Sequence, residues 1–165
     1  YGNLGIMFPM ITSVSEVQKV LEICKTVREE LQAEQIPYAE KMELGIMIET
    51  PAAAIISDQL APLVDFFSVG TNDLTQYTLA CDRQNPDIES FCDTHHEAIL
   101  RLIAWSAKNA HEHGAWIGIC GELAADTSLT ERFLRMGIDE LSVSPTFVLK
   151  VRDAVRKVDL RTKEN

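Results

Sequence analysis

Apolar residues recur along this chain in short unbroken blocks, separated by stretches in which they return every three or four positions. Residues 4–10 (LGIMFPM) form the first block, which closes at Pro9 and the polar pair Thr12 and Ser13 and reads as a buried strand. From Ser15 onward, Val17, Val20, Leu21, Cys24, Val27 and Leu31 alternate with charges at helical spacing, predicting an amphipathic helix capped by a hydroxyl. After the loop around Pro37, residues 43–49 (ELGIMIE) give a second strand, and Thr50 and Pro51 open an alanine-rich helical segment toward Leu60. Residues 65–69 (DFFSV), ending at Gly70, and residues 116–120 (WIGIC) give a third and a fourth strand, with a long helix from about His95 to His113 between them. Residues 141–143 give a shorter fifth strand. Residues 145–158 read as a closing helix with Lys150, Arg152, Arg156 and Lys157 on its wet side.

Five short apolar strands alternating with helices demand a parallel sheet, because each right-handed crossover returns the chain to the same end of the sheet. The fold class is α/β with helices outside. No internal repeat and no Pro/Gly/Ser linker divides the chain, so residues 1–165 read as a single domain. At this length, folding buries about 70% of the surface the unfolded chain exposes, and the core needs no metal or disulfide staple.

Charge and composition narrow the function. With 15 basic against 25 acidic side chains, the formal net charge is -10, which opposes general binding to a nucleic-acid backbone. No apolar run approaches the roughly 18 residues that span a bilayer, and no basic-then-apolar leader opens the sequence, so no membrane association is expected. Cys24, Cys81, Cys92 and Cys120 have no CxxC spacing and fit a reducing compartment better than a disulfide framework, which makes the cytoplasm the expected location.

The polar residues at the strand ends carry the chemistry. Glu49 ends the second strand, Asn72 and Asp73 follow the third, Cys120 and Glu122 follow the fourth, and Ser142 and Ser144 mark the fifth. All lie at carboxyl ends, the face at which parallel barrels and open sheets build their sites. Glu49 and Asp73 are hard oxygen ligands suited to Mg²⁺, which takes few carboxylates and completes its shell with water and substrate oxygens. Glu49 also fits a plain helix cap, and the run Thr71, Asn72, Asp73 an ordinary Asx-turn. Arg83, ten residues beyond Asp73, can bind a phosphate or carboxylate bidentately or pair with Asp82 or Asp87 on the surface. Cys120, between Gly118 and Gly121, is either a small buried hydrophobe or a general acid for a carbanion or enolate.

The remaining candidates are structural. Cys24 lies on the core face of a helix, and Cys81 and Cys92 read as structural. His95, His96, His111 and His113 fall at helix ends as caps or surface residues without metal-ligand spacing, and Met7, Met10 and Met47 are strand packing. No P-loop, no GxGxxG after a strand and no GxSxG is present.

The segment GTNDLTQYTLACDR at residues 70–83, together with IMFPMI, ETPAAA and GICGELAAD, resembles a known family. The family it resembles is the carboxyl-terminal, phosphoenolpyruvate-binding domain of enzyme I of the bacterial sugar phosphotransferase system. The likeness runs from about Tyr1 to Val155. Pyruvate phosphate dikinase and phosphoenolpyruvate synthase share the GTND and CGE turns, whereas the QYTLA-x-DR continuation is most similar to enzyme I. The resemblance implies a parallel (β/α)₈ TIM barrel whose rim holds phosphoenolpyruvate and Mg²⁺. It implies Glu49 and Asp73 as metal ligands, Asn72, Asp73 and Arg83 at the substrate, and Cys120 as the acid that protonates the enolate to pyruvate. In that family the phosphoryl group passes to a histidine on a separate amino-terminal domain and then to a small phosphocarrier protein. None of the four histidines here is a candidate for that role.

A (β/α)₈ barrel runs to about 250 residues, so five strand-helix units amount to the carboxyl-terminal part of one, short by roughly three units. Against the family pattern the chain starts at the fourth strand, without the two phosphate-binding arginines of the second and third. By itself it is expected to lack the phosphotransfer, and its open strand edges are expected to promote self-association as a homodimer or by strand exchange. Two rivals stand beside this reading: a related dikinase, synthase or pyruvate-type aldolase, and a non-catalytic binding or assembly module.

Overall fold

The computed structural model describes residues 4–161; the expected domain and the family likeness extend into residues 1–3, and the domain into 162–165, which lie outside the described residues. Five strands, β1 (Gly5–Phe8), β2 (Glu43–Ile48), β3 (Phe66–Gly70), β4 (Trp116–Cys120) and β5 (Glu140–Leu141), form one sheet in the order β1-β2-β3-β4-β5. Every pairing is parallel. Strictly sequential order with no reversal is the arrangement of an arc of a (β/α)₈ barrel, whereas a doubly wound sheet reverses at a switch point. The expected class holds: α/β, five units of a partial barrel.

Helix α1 (Val14–Ala33) follows β1, and the short helices α2 (Pro51–Ile55) and α3 (Ser57–Leu60) follow β2. Helices α4 (Thr71–Leu79) and α5 (Glu97–Glu112) lie between β3 and β4, α6 (Thr130–Arg135) joins β4 to β5, and α7 (Val148–Lys157) closes the described chain. Helix α6 has only six residues, too few for its apolar spacing to mark it in the sequence.

Register explains the core. Ile46, Phe67 and Ile117 lie side by side across three strands, as do Ile48, Val69 and Ile119, and all six are fully buried toward the helices. They meet Leu60, Leu74, Ile99, Ile103 and Phe133. The opposite, inner face is stepped by small residues. Phe66 stacks on Trp116 with ring centroids 4.5 Å apart, and Gly45 alongside leaves the room that ring occupies, since a Cβ there would lie 2.4 Å from it. Two aspartates lock the strand starts: Asp65 Oδ2 accepts from Leu44 N–H at 2.8 Å and Asp139 Oδ2 from Ile117 N–H at 2.9 Å.

Several expectations are corrected. The first strand is not buried: Leu4, Ile6 and Met7 are exposed, because β1 is an edge strand that pairs with β2 alone. Met10 is likewise half exposed rather than packed, on backbone of φ +57. The α1 cap is Ser13, not Ser15, in a capping box with Glu16. Of the predicted α1 stripe only Val17 is buried, and Val27 is 45% exposed. Cys81 and Cys92 are disulfide-bonded to each other with Cα atoms 6.0 Å apart, whereas the spacing had argued against any bridge; the turn after α4 brings them together.

Candidate active site at the carboxyl rim

The pairing Gly70 with Cys120, one step beyond Ile48 with Val69, puts Glu49, Gly70 and Cys120 in one layer on the inner face at the carboxyl ends of β2, β3 and β4. This layer is the floor of the rim. Glu49 does not cap the following helix: Thr50 does, its hydroxyl accepting from Ala53 N–H at 3.1 Å, with Pro51 at the first helical position. Glu49 is thereby left to point inward. It is 4% exposed, and its Oε1 accepts from Met10 N–H at 2.6 Å.

Gly70 makes the space for this carboxylate. A Cβ on Gly70 would stand 2.9 Å from Glu49 Cβ, 2.9 Å from Met47 Sδ and 3.0 Å from Glu49 Oε2. Burial pushes the Glu49 carboxyl above the usual carboxylate range. The Met10 N–H opposes that rise, and the neighbouring Asp73 carboxylate adds to it.

The GTND run is not an Asx-turn. Thr71, Asn72 and Asp73 form the first turn of α4, directly after Gly70. The helix start aims Asp73 at Glu49 and Asn72 toward β4, where Asn72 Oδ1 accepts from Glu122 N–H at 3.3 Å. Arg83 lies on the loop after α4; its Nη2 stands 3.8 Å from Asp73 Oδ1 and its backbone N–H donates to Gln76 Oε1. Arg83 thus faces Asp73, not Asp82 or Asp87. Both partners are more than a third exposed, and such a pair holds weakly enough to be redirected by a ligand.

Cys120 is half-buried, and its thiol donates to the Val69 carbonyl at 3.4 Å. Its own carbonyl accepts from Thr71 Oγ1 at 2.8 Å. Gly121 then turns the chain at φ +88, and a Cβ there would fall 2.6 Å from Thr71 Oγ1. Two clefts open on this rim and share Asn72 and Glu122. One, of about 620 Å³, is lined by Arg83, Gln76 and the Cys81–Cys92 bridge; the other, of about 580 Å³, by Cys120, Ser142, Ser144 and Asp126.

All five residues singled out from the sequence therefore come to one rim: Glu49 meets Asp73, Asp73 meets Arg83, and Asn72 and Cys120 share a cleft. Sequence reasoning missed Thr71, Gln76 and the Met10 amide. Thr71 and Gln76 stood within the GTNDLTQY run, whereas nothing local marks a backbone N–H 39 residues from its carboxylate. The histidines behave as expected: His96 Nδ1 caps α5, and His95 and His111 pair with Asp126 and Asp139. Two convergent carboxylates, one of them buried, suit a hydrated divalent cation. Among the described residues no cluster of three or more His, Cys, Asp or Glu side chains is placed to hold a metal ion.

Comparison with known proteins gives the family and the fold of the chain. The chain is 45% identical over 164 residues to a phosphoenolpyruvate-protein phosphotransferase of Lactococcus lactis subsp. cremoris, covering 99% of this chain and 28% of that protein. It is 45% identical over 158 residues to the protein of the same name from Priestia megaterium, covering 96% and 28%. The chain thus spans little more than a quarter of the length of these curated relatives. Among solved structures, a citrate lyase from Burkholderia xenovorans matches with a TM-score of 0.66 at 20% identity over 91% of this chain and 48% of that one. An HpcH/HpaI aldolase/citrate lyase family protein from Burkholderia cenocepacia gives 0.63 at 15% identity over 96% and 65%. These two share the fold alone. The family model described as "PEP-utilising enzyme, PEP-binding domain" matches residues 1–160, and this chain belongs to that family of phosphoenolpyruvate-binding domains.

Proposed function

We propose that this chain is the phosphoenolpyruvate-binding part of an enzyme I, which moves the phosphoryl group of phosphoenolpyruvate to a protein histidine and releases pyruvate for sugar uptake. The observation that carries this reading is the single layer of Glu49, Gly70 and Cys120, with Asn72, Asp73 and Arg83 closing around it. The -10 net charge makes such local placement necessary, because the chain as a whole repels an anion.

Glu49 and Asp73 would hold Mg²⁺, which when bound neutralises charge on the phosphate and enolate oxygens. Arg83 leaves Asp73 to grip the phosphate through paired N–H donors, and the amide of Asn72 and the opening turn of α4 supply further donors. The P–O bond of phosphoenolpyruvate breaks as a P–N bond forms on the acceptor histidine, leaving the electron pair on the enolate oxygen. That pair returns to make the ketone, and carbon 3 takes the proton of the Cys120 thiol, which the Val69 carbonyl keeps in place until then. Solvent restores the proton to sulfur.

In this reading the acceptor histidine lies on another domain, which exchanges the phosphoryl group with a phosphocarrier protein. The open β1 edge is covered by further strand-helix units or by a second copy, which accords with a homodimer. No helix among the described residues is long and apolar enough to cross a membrane, and the cytoplasm is the proposed setting.

The test is calorimetric titration of phosphoenolpyruvate, with and without Mg²⁺, into a full-length enzyme I carrying this segment. Binding should require the metal and be lost in Arg83→Ala and Asp73→Ala. Cys120→Ala should bind normally and turn over slowly; equal loss of binding and turnover would remove its acid role. A folded protein that binds no phosphoenolpyruvate refutes the assignment.

A further inference from the structure

The Cys81–Cys92 bridge closes a loop that contains Arg83. Helix α4 ends at Leu79, and the following Ala80, with φ of +51, reverses the chain and lets Cys81 N–H donate back to the Gln76 carbonyl at 3.1 Å. Cys81 is 4% exposed and anchored by that turn, whereas Cys92 is only half-buried. Between them, Asp82, Arg83, Gln84, Pro86 and Asp87 are exposed. The hydrogen bonds of this stretch are local, Asn85 N–H to the Asp82 carbonyl and Ile88 N–H to the Asn85 carbonyl, with the Arg83 amide reaching back to Gln76. The bridge is therefore the covalent tie that fixes the far end of the loop against α4. Both cysteines also line the 620 Å³ cleft shared with Asn72 and Arg83, so a small solute entering the rim reaches them.

We propose that Cys81 and Cys92 are a reversible dithiol–disulfide clasp that sets the position of Arg83, with a low-molecular-weight disulfide as oxidant and the corresponding thiol as reductant. In oxidation the Cys92 thiolate, the more accessible of the two, attacks one sulfur of the small disulfide. Its S–S bond breaks and the first small thiolate leaves. The buried Cys81, deprotonated as it attacks, displaces the second from the mixed disulfide and closes the protein bridge. Two protein thiols lose two electrons and two protons; the small disulfide gains both to become two thiols. The closed clasp pre-organises Arg83 beside Asp73 and the open one releases it, so that the oxidation state controls anion affinity. The consequence for affinity rests on the proposed phosphoenolpyruvate reading; the clasp itself does not.

The experiment uses full-length enzyme equilibrated in glutathione buffers of varied thiol-to-disulfide ratio, followed by alkylation, digestion and mass mapping. Hydrogen exchange of residues 82–91 and the KM for phosphoenolpyruvate are read in parallel, on wild type and on Cys92→Ser. A peptide joining Cys81 to Cys92 should appear in oxidising buffer and vanish in excess thiol. On reduction the loop amides should exchange faster and KM should rise about three- to tenfold, the factor by which the competent fraction falls, with kcat little changed. Cys92→Ser should hold the reduced-state KM in every buffer, which separates the clasp from any mixed disulfide on Cys120. The clasp is overturned if both cysteines alkylate independently in every buffer, if loop exchange is the same in both states, or if wild type and Cys92→Ser respond alike. Absence of phosphoenolpyruvate turnover in both states counts against the functional reading instead, and the linkage map with loop exchange still decides the clasp.

Discussion

Thr71 and Cys120 are joined by a 2.8 Å hydrogen bond from the threonine hydroxyl to the cysteine carbonyl, so the first residue of α4 holds the last residue of β4. Thr71 is 1% exposed, and this bond spans 49 positions in sequence. It couples the turn that carries Asn72 and Asp73 to the strand end that carries the thiol. The two halves of the rim are therefore tied directly to each other.

Thr71→Val keeps the shape and removes the donor, leaving the Cys120 carbonyl unpaired. Loss of a buried bond of this kind should cost about 1–3 kcal/mol in urea unfolding. Thr71→Ser should recover most of that stability. In turnover assays kcat should fall more than phosphoenolpyruvate binding, because the thiol is displaced while Arg83 and Asp73 are not.

Gly70→Ala tests the floor of the rim. The added methyl meets Glu49 Cβ and Met47 Sδ at 2.9 Å each, and the carboxylate is the part free to shift. Displacing Glu49 from the Met10 amide should lower kcat/KM by about tenfold to a hundredfold, the scale of an ångström misplacement. Mg²⁺ titration should show weakened metal dependence in the same variant. Unchanged metal affinity would exclude Glu49 as a ligand.

The raised Glu49 carboxyl makes a pH prediction of definite sign. The folded protein holds this proton more tightly than the unfolded chain does, so stability falls as pH rises from the ordinary glutamate value through the raised one. Glu49→Gln keeps the acceptor for the Met10 amide and should abolish that decline, seen as denaturation midpoints between pH of about 4 and 8. In the proposed reading Mg²⁺ would displace the same proton, so its affinity for the wild type should climb through the same window.

Gly45→Ala addresses the sheet away from the site. Its methyl would lie 2.4 Å from the Phe66 ring, which is stacked on Trp116. Overpacking there should destabilise by about 1–3 kcal/mol and alter Trp116 fluorescence. The ratio of kcat to KM should change little, since Gly45 lies four positions before Glu49, toward the start of β2.

Apolar blocks of four to six residues between helical stretches determined the parallel strands, because a strand covered on both faces requires such runs. β4 was legible to the residue, and so was the placement of Glu49, Asn72, Asp73 and Cys120 at strand ends, with Arg83 on the segment beyond, since parallel crossovers bring carboxyl ends to one face. The spacing of side chains along the chain carries no information about partners many positions away, and those the tertiary structure alone decided. Register across β2, β3 and β4 placed Glu49, Gly70 and Cys120 in one layer. The first turn of α4 tied Thr71 to Cys120, where local residue types fitted an Asx-turn equally well. The reversal at Ala80 joined Cys81 to Cys92, which no CxxC motif announced. The edge position of β1 left exposed a strand whose composition demands burial, because burial depends on what packs against a residue as much as on the residue itself.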